Sequence, residues 1–344
     1  MYQKKILASD RISELEGFAV PIEQGQSTMN TVKLGNLPSE GGTRGRTYSI
    51  GGANCMPFHL WEGDMPNRPL VAMEVFDTVS EKFPDVLRKV YGDLLNNPAE
   101  MARVCVDEYG ADLISVSLEG THPEKGDRSA AQSVELVKAV LAAVDVPLII
   151  TGSSHFEKNN EVMKAVAQAC ENENLLFNYV EPDNYRTIAG AAMAYGHSVV
   201  AQAPIDVNIT KQMNILLTNM GLPIDRIVND PLTSPIGYGV EYTYSVMERI
   251  RMTGLGGDKM LLNPMIVAVG MECGKIKESK ATEEAFPEWG DLASRAAYWE
   301  LSTATALLHA GADVLIMHTP SAVASLKLAI TDLMDVEIFE GGVR

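Results

Sequence analysis

The stretch DLISVSL, residues 112–118, runs directly into EGTHPE, residues 119–124. The first part is a short, mostly apolar run rich in β-branched residues, which predicts a buried strand. The second part crowds a glycine, a threonine, a histidine, a proline and two carboxylates onto its end. An apolar strand that terminates in polar groups is a place where chemistry or binding is commonly found. The fold depends on whether this pattern stands alone or repeats.

It repeats. LVAMEVF (70–76), PLIITG (147–152), LLFNYV (175–180), SVVAQAP (198–204), RIVND (226–230), MIVAVG (265–270) and DVLIMHT (313–319) have the same form. Between them lie helical stretches. NPAEMARVCVDEYGAD puts Pro98 in a first helical turn and Met101, Val104 and Cys105 on one face. SAAQSVELVKAVLAAVDVP opens on a Ser cap at Ser129. Near-continuous apolar strands imply a sheet buried on both faces, hence parallel. Eight consecutive strand–helix units match a (β/α)8 TIM barrel, typically ~250 residues long. An open doubly wound sheet is the alternative. No G-x-G-x-x-G follows a first strand, and GLGGD at 254–258 reads as helix termination. Residues 1–69 lack a regular period and are rich in Gly, Pro, Asn and Thr. They are expected to form an N-terminal extension of short strands and turns, with a hairpin over one end of a barrel spanning 70–344.

Composition narrows the function. The 344 residues carry a net charge of −17, with 6% aromatic residues and 17 methionines. An acidic chain is a poor nucleic-acid binder, because such binding needs clustered Lys and Arg to replace counterions. Cys55, Cys105, Cys170 and Cys273 are scattered, without a C-x-x-C or a Cys/His cluster. A zinc site or an iron–sulfur cluster held by this chain alone is therefore not expected. The N-terminal residues lack the apolar core of a signal peptide, and no run reaches the ~18 apolar residues of a membrane span, so a cytoplasmic protein is expected.

The barrel reading places the loops after the strands on the functional face. Those loops carry Glu119, Thr121 and His122; Thr151, Ser153, Ser154 and His155; Asn178, Glu181, Asp183 and Asn184; Gln202, Asp206 and Asn208; Asn229 and Asp230; Glu272 and Cys273; and His318 and Thr319. His122, His155 and His318 form a conceivable metal triad, but they come from three strands, so spacing lends no support. Ser153 and Ser154 lack the G-x-S-x-G elbow of a nucleophilic serine; TGSSHF reads instead as the cap of a helix beginning near Asn159. Glu119 with Asp206 is a possible acid–base pair, against the ordinary alternative of solvated loop charges. The rim is rich in amides and hydroxyls and poor in Lys and Arg. That suits a large neutral hydrogen-bonding ligand, such as a pterin or a corrinoid.

RPLVAMEVFD, YGADLISVSLEGTHPE, VPLIITGSSHFEKNNEVM, IVNDPLTSPIGYGVEYTYSVMERIR and ADVLIMHTPSAV resemble the small subunit of the corrinoid/iron–sulfur protein, the delta subunit type of the acetyl-CoA decarbonylase/synthase system. The resemblance covers nearly the whole chain. It implies a non-catalytic barrel in a heterodimer with a large subunit that holds the iron–sulfur cluster and the cobalamin domain. It implies methyl transfer from a methyltetrahydrofolate methyltransferase to acetyl-CoA synthase/CO dehydrogenase. Cobalamin domains that ligate cobalt through histidine use D-x-H-x-x-G; the residues two before His122, His155 and His318 are Gly120, Ser153 and Ile316. The expectation is that the barrel rim caps the partner's cobalamin through Thr121, Asn178, Gln202, Asp206, Asn208, Asn229, His318 and Thr319, with no catalytic or metal-ligating residue. A stand-alone pterin-dependent methyltransferase, with Asn178 and IDVN (205–208) on the pterin, is the competing reading. A metal-dependent lyase or hydrolase using the rim histidines is the third.

Overall fold

A computed structural model describes residues 22–80 and 83–335. Two strands, β1 (Thr31–Leu34) and β2 (Tyr48–Gly51), pair antiparallel. Eight further strands follow: β3 (Leu70–Phe76), β4 (Leu113–Ser117), β5 (Leu148–Thr151), β6 (Leu176–Val180), β7 (Ser198–Gln202), β8 (Ile227–Asp230), β9 (Met265–Val267) and β10 (Ala312–Met317). They close in the order β10-β3-β4-β5-β6-β7-β8-β9, every pair parallel. The eight predicted strands are these eight, with ends that differ by at most three residues. The architecture is the TIM barrel expected from the sequence.

Strand side chains alternate between two faces. Val71, Met73 and Val75 pack in the large cluster between sheet and helices, whereas Leu70 and Ala72 belong to the barrel interior. That interior also holds Leu113, Ile149, Leu176, Val200, Val228, Ile266, Val314 and Ile316. Val32, Leu34 and Ile50 of the β1–β2 hairpin join the same cluster. The hairpin therefore plugs the barrel at the N-terminal ends of its strands, as the composition of residues 1–69 suggests. Residues 1–21 of that extension lie outside the described residues.

The plug is fastened by Arg44, which is 1% exposed. Its Nε meets Glu173 at 3.1 Å, Nη1 donates to the carbonyls of Val144 (2.7 Å) and Val146 (3.2 Å), and Nη2 donates to that of Leu141 (2.7 Å). Two of these carbonyls lie at the end of the helix Ala130–Ala143, which has no internal donors left for them.

Ten helices complete the fold: α1 (Asp85–Tyr91), α2 (Pro98–Asp107), α3 (Ala130–Ala143), α4 (Phe156–Ala169), α5 (Tyr185–Tyr195), α6 (Val207–Asn219), α7 (Val240–Leu255), α8 (Val269–Cys273), α9 (Leu292–Ala310) and α10 (Pro320–Met334) among the described residues. Pro98 opens α2, and Ser129 caps α3 in a reciprocal capping box with Gln132. Three local expectations need correction. The helix after β5 begins at Phe156 rather than near Asn159, because His155, not the serines, is its cap. The strand expected at 265–270 stops at Val267 and turns into α8. The short α1, which buries Val86, Leu87 and Tyr91, was not anticipated.

Candidate functional site

At the C-terminal ends of seven of the eight strands, the position in phase with the barrel interior is polar; on β9 it is Ala268. Glu74, Ser115, Thr151, Asn178, Gln202, Asp230 and His318 form this top layer, and all are buried. His318 Nε2 lies 2.7 Å from Glu74 Oε2, and Ser115 Oγ donates to Glu74 Oε1 at 3.4 Å. The Ser115 and Thr151 hydroxyls are 3.1 Å apart, and Asn178 Nδ2 donates to Thr151 Oγ1 at 3.1 Å. A separate pair follows: Gln202 Nε2 donates to Asp230 Oδ2 at 2.8 Å, and Leu232 N donates to Asp230 Oδ1 at 2.9 Å.

The layer is supported from behind. Glu300, buried on α9, accepts the backbone N–H groups of His318 (2.5 Å) and Thr319 (3.1 Å), and so caps α10 from another helix. Burial opposes charge on His318, but the hydrogen bond and charge of Glu74, with Glu300 nearby, outweigh it and raise the imidazole pKa. Burial raises the Glu300 carboxyl despite the charge of His318 and those N–H donors. Gly270 of α8 packs closely against His318: a Cβ there would stand 2.5 Å from His318 Cγ.

The eight residues expected to meet a ligand separate into three groups. Asn178, Gln202 and His318 converge in the polar layer. Thr121, Asp206 and Thr319 are built into the scaffold. Thr121 Oγ1 bonds Leu118 O (2.7 Å) and Ser153 Oγ (3.1 Å), tying two loops together. Asp206 Oδ1 accepts Asn208 N (2.7 Å) and Ile209 N (3.0 Å) as the N-cap of α6, which leaves Asn208 exposed on the first turn. Asn229 shares its strand face with Ile227, which packs between sheet and helices, and its two amide atoms are buried without partners.

The alternative chemistries find little geometry. The His122 and His155 rings are 5.7 Å apart, but Nδ1 of each accepts a backbone N–H, from Glu124 and Lys158 respectively. The neutral rings therefore carry their protons on Nε2 and have no lone pair left for a metal. No group of three or more His, Cys, Asp or Glu residues among the described residues is placed to hold a metal ion. Glu119 pairs with Lys125 while Asp206 caps a helix, so no acid–base couple is assembled from them. All four cysteines are buried, and burial pushes their thiols up to about 11 or 12. Cys273 lies beneath the rim, its Sγ near Trp299 O and Thr303 Oγ1.

Glu74, Ser115 and Glu300 escaped the sequence analysis. Glu74 was legible in principle, as a carboxylate in phase with Leu70 and Ala72 inside an otherwise apolar strand. Glu300 sits in phase with Ala296, Ala304 and Leu307 on the buried side of α9.

Burial pushes Asp230 from 3.8 up to about 6, against the hydrogen bonds of Gln202 and Leu232. A carboxyl raised on folding is better tolerated protonated, so it disfavours the folded state as pH rises from below 3.8 through 6. At ~1.4 kcal/mol per unit, the effect is about 3 kcal/mol at most. Asp230→Asn removes it. The melting temperature of the variant minus that of the wild type is expected to increase from pH 4 to pH 7; a difference constant across that window would show that Asp230 is not desolvated as described.

No helix among the described residues is long and apolar enough to cross a membrane. Solved structures with similar folds include dihydropteroate synthase from Xanthomonas albilineans with indole-2-carboxylic acid and 6-chloroguanine (TM-score 0.54, 16% identity, 80% of this chain and 96% of that chain). Another is 7,8-dihydropteroate synthase from Vibrio fischeri (TM-score 0.52, 16% identity, 80% and 96%). At that identity the likeness concerns the barrel fold alone. Sequence relatives are nearer. The acetyl-CoA decarbonylase/synthase complex subunit delta of Methanocaldococcus jannaschii is 33% identical over 94% of this chain and 80% of its own length. That of Archaeoglobus fulgidus is 36% identical over 89% and 68%. The family model for the CO dehydrogenase/acetyl-CoA synthase delta subunit matches residues 31–334, the hairpin and the whole barrel, and the chain belongs to that family.

Proposed function

We propose that this chain is the barrel subunit that covers a cobalamin carried by a large corrinoid/iron–sulfur subunit of the acetyl-CoA decarbonylase/synthase complex in the cytoplasm. The observation that carries this reading is the barrel mouth itself, a buried layer of amides, hydroxyls and carboxylates with no metal-ligating set. Such a surface fits the amide-fringed ring of a corrinoid, and the buried, unpartnered Asn178 Oδ1 is an acceptor such a ring can fill. When bound on the partner, cobalamin supplies a nucleophilic cobalt able to accept and release a methyl group. The donor in this reading is a methyltetrahydrofolate-dependent methyltransferase, and the acceptor is acetyl-CoA synthase/CO dehydrogenase.

The residues of this chain shield and orient. Asn178 and Gln202 face the ring's side-chain amides, and exposed Asn208 extends the polar surface at the edge. Thr121, Asp206 and Thr319 hold the loops that frame it, while the Asn229 side chain lies on the helix side of β8, away from the mouth. His318 is held at the mouth by Nε2 against Glu74, and this fixes the ring's orientation in the layer. The iron–sulfur cluster belongs to the partner in this reading. Co-expression with that partner is expected to give an equimolar complex containing cobalt and iron, with cobalamin retained less well when this chain is omitted. A homodimer of this chain that alone transfers methyl groups from methyltetrahydrofolate to free cobalamin would overturn the proposal in favour of a pterin-dependent methyltransferase.

A further inference from the structure

We propose that Ser279, through one buried water, is the second hydrogen-bond partner of the His318 ring. Ser279 is then a positioning residue supplied to the barrel by segment 274–291, which joins α8 to α9. The inference concerns the helix side of His318 and does not depend on which ligand the mouth receives.

One nitrogen of the ring is engaged, with Nε2 lying 2.7 Å from Glu74 Oε2. The other, Nδ1, is buried and has no partner among the described residues. It needs one in either charge state, because it is a lone pair in the neutral ring protonated on Nε2 and an N–H in the imidazolium. Behind the ring lies a cavity of about 20 Å³, walled by Leu87, Gly270, Cys273, Ala296, Glu300 and Ser279. A water takes roughly 10–15 Å³ of such space, so the cavity has room for one. Ser279 is 3% exposed, and its Oγ is also buried without a partner. Two unsatisfied polar atoms, from segments far apart in the sequence, thus belong to residues that line one water-sized space. Cys273 Sγ on the same wall is already near Trp299 O and Thr303 Oγ1. The Glu300 carboxylate has lone pairs to spare beyond the N–H groups of His318 and Thr319, and gives the water a third partner. A water and a hydroxyl each donate and accept, so the pair serves the neutral ring and the imidazolium alike.

The position of Ser279 is set by α9 rather than by its own loop. Arg295, 9% exposed, donates from Nε to Glu278 O (2.5 Å), from Nη2 to Ala281 O and from Nη1 to Gly290 O (3.1 Å). It therefore grips the chain on both sides of Ser279. Outward, exposed Lys277 lies 4.1 Å from the Phe286 ring centre, and Tyr238 Oη donates to Glu278 Oε2 at 2.6 Å. The segment thus shows solvent a charged and aromatic face and turns one hydroxyl inward. The charged groups facing the ring are Glu74 from β3 and Glu300 from α9. Helix α8 presents Gly270 to it, and Tyr91 of α1 donates to the His318 carbonyl. Both carboxylates favour the imidazolium. Hydrogen bonds to a charged group are the stronger ones, so the Ser279–water link acts in the same direction.

The test follows the His318 ring by NMR in the full chain with isotope-labelled histidine, its signal identified by loss in His318→Gln. Wild type, Ser279→Ala and Thr282→Ala are compared. Thr282 is the control: it lies on the same segment, accepts the N–H of Ala285 at 3.3 Å and is not part of the cavity wall. Ser279→Ala is expected to lower the titration midpoint of His318 by about one pH unit, or about tenfold in proton affinity, and Thr282→Ala to leave it in place. Crystals of the wild type are expected to show one water within hydrogen-bond distance of both Ser279 Oγ and His318 Nδ1. Stability gives an independent readout. The folded pKa of His318 is raised above 6.5, so its contribution is complete below 6.5 and is lost as pH rises through the folded value. The melting-temperature deficit of Ser279→Ala is therefore expected to be greatest below pH 6.5 and to narrow above it. A cavity without an ordered water, an unchanged midpoint in Ser279→Ala or an equal shift in Thr282→Ala overturns the proposal. A deficit that is constant with pH overturns it as well, because Ser279 would then only pack.

Discussion

Arg44→Ala is expected to lower the stability of the folded chain by about 3–5 kcal/mol, the range for removing one member of a buried ion pair. The loss has two parts: Glu173, itself buried, keeps its charge without a partner, and the carbonyls of Leu141, Val144 and Val146 lose their donors. Domains of this kind are held by only ~5–15 kcal/mol in total, so the change is a large fraction of what is available. Arg46→Ala is the control. Arg46, two residues along the same segment, pairs with Asp145, but both side chains are about half exposed, and the expected loss is ~0–1 kcal/mol. Urea unfolding of the two variants beside the wild type separates the cases. Equal losses would mean that the hairpin is an appendage and not the floor of the barrel.

Gly270→Ala tests the other end. Two effects of opposite sign compete. Alanine inside a helix is favoured over glycine by ~1 kcal/mol, and Gly270 is not among the residues with positive φ, so local conformation alone predicts stabilisation. The added methyl, however, would stand 2.5 Å from His318 Cγ and 2.7 Å from His318 N, so the buried ring and its backbone must shift. Relief requires the imidazole to leave Glu74, which strands a buried carboxylate. The expected net result is destabilisation of about 3 kcal/mol. Thermal unfolding gives the sign directly. A stabilised variant would show that the His318–Glu74 pair is looser than its 2.7 Å contact suggests.

The barrel was legible because its signal is repeated. Each strand reads as a short apolar run ending in small or polar residues, and eight copies outvote any error in one. The hairpin followed from composition, and the caps at Pro98 and Ser129 from local chemistry. The mouth was legible only in part. Asn178, Gln202 and His318 stand at strand ends, where loop polarity exposes them. Glu74 and Ser115 lie inside strands, where the eye reads continuous apolar text and passes over the period of two. Glu300 reaches the site from a helix whose buried face meets the loop after β10 only in three dimensions. Asp206 shows the converse: a carboxylate beside a strand end looks like a ligand in sequence and turns out to hold its own helix.

The packed strand interior, with Val32, Leu34 and Ile50 of the hairpin beneath it, makes the barrel a cup rather than a pipe. Whatever enters through the mouth must leave through it. Molecules that need the same polar floor are thus obliged to take turns, because one opening serves them all.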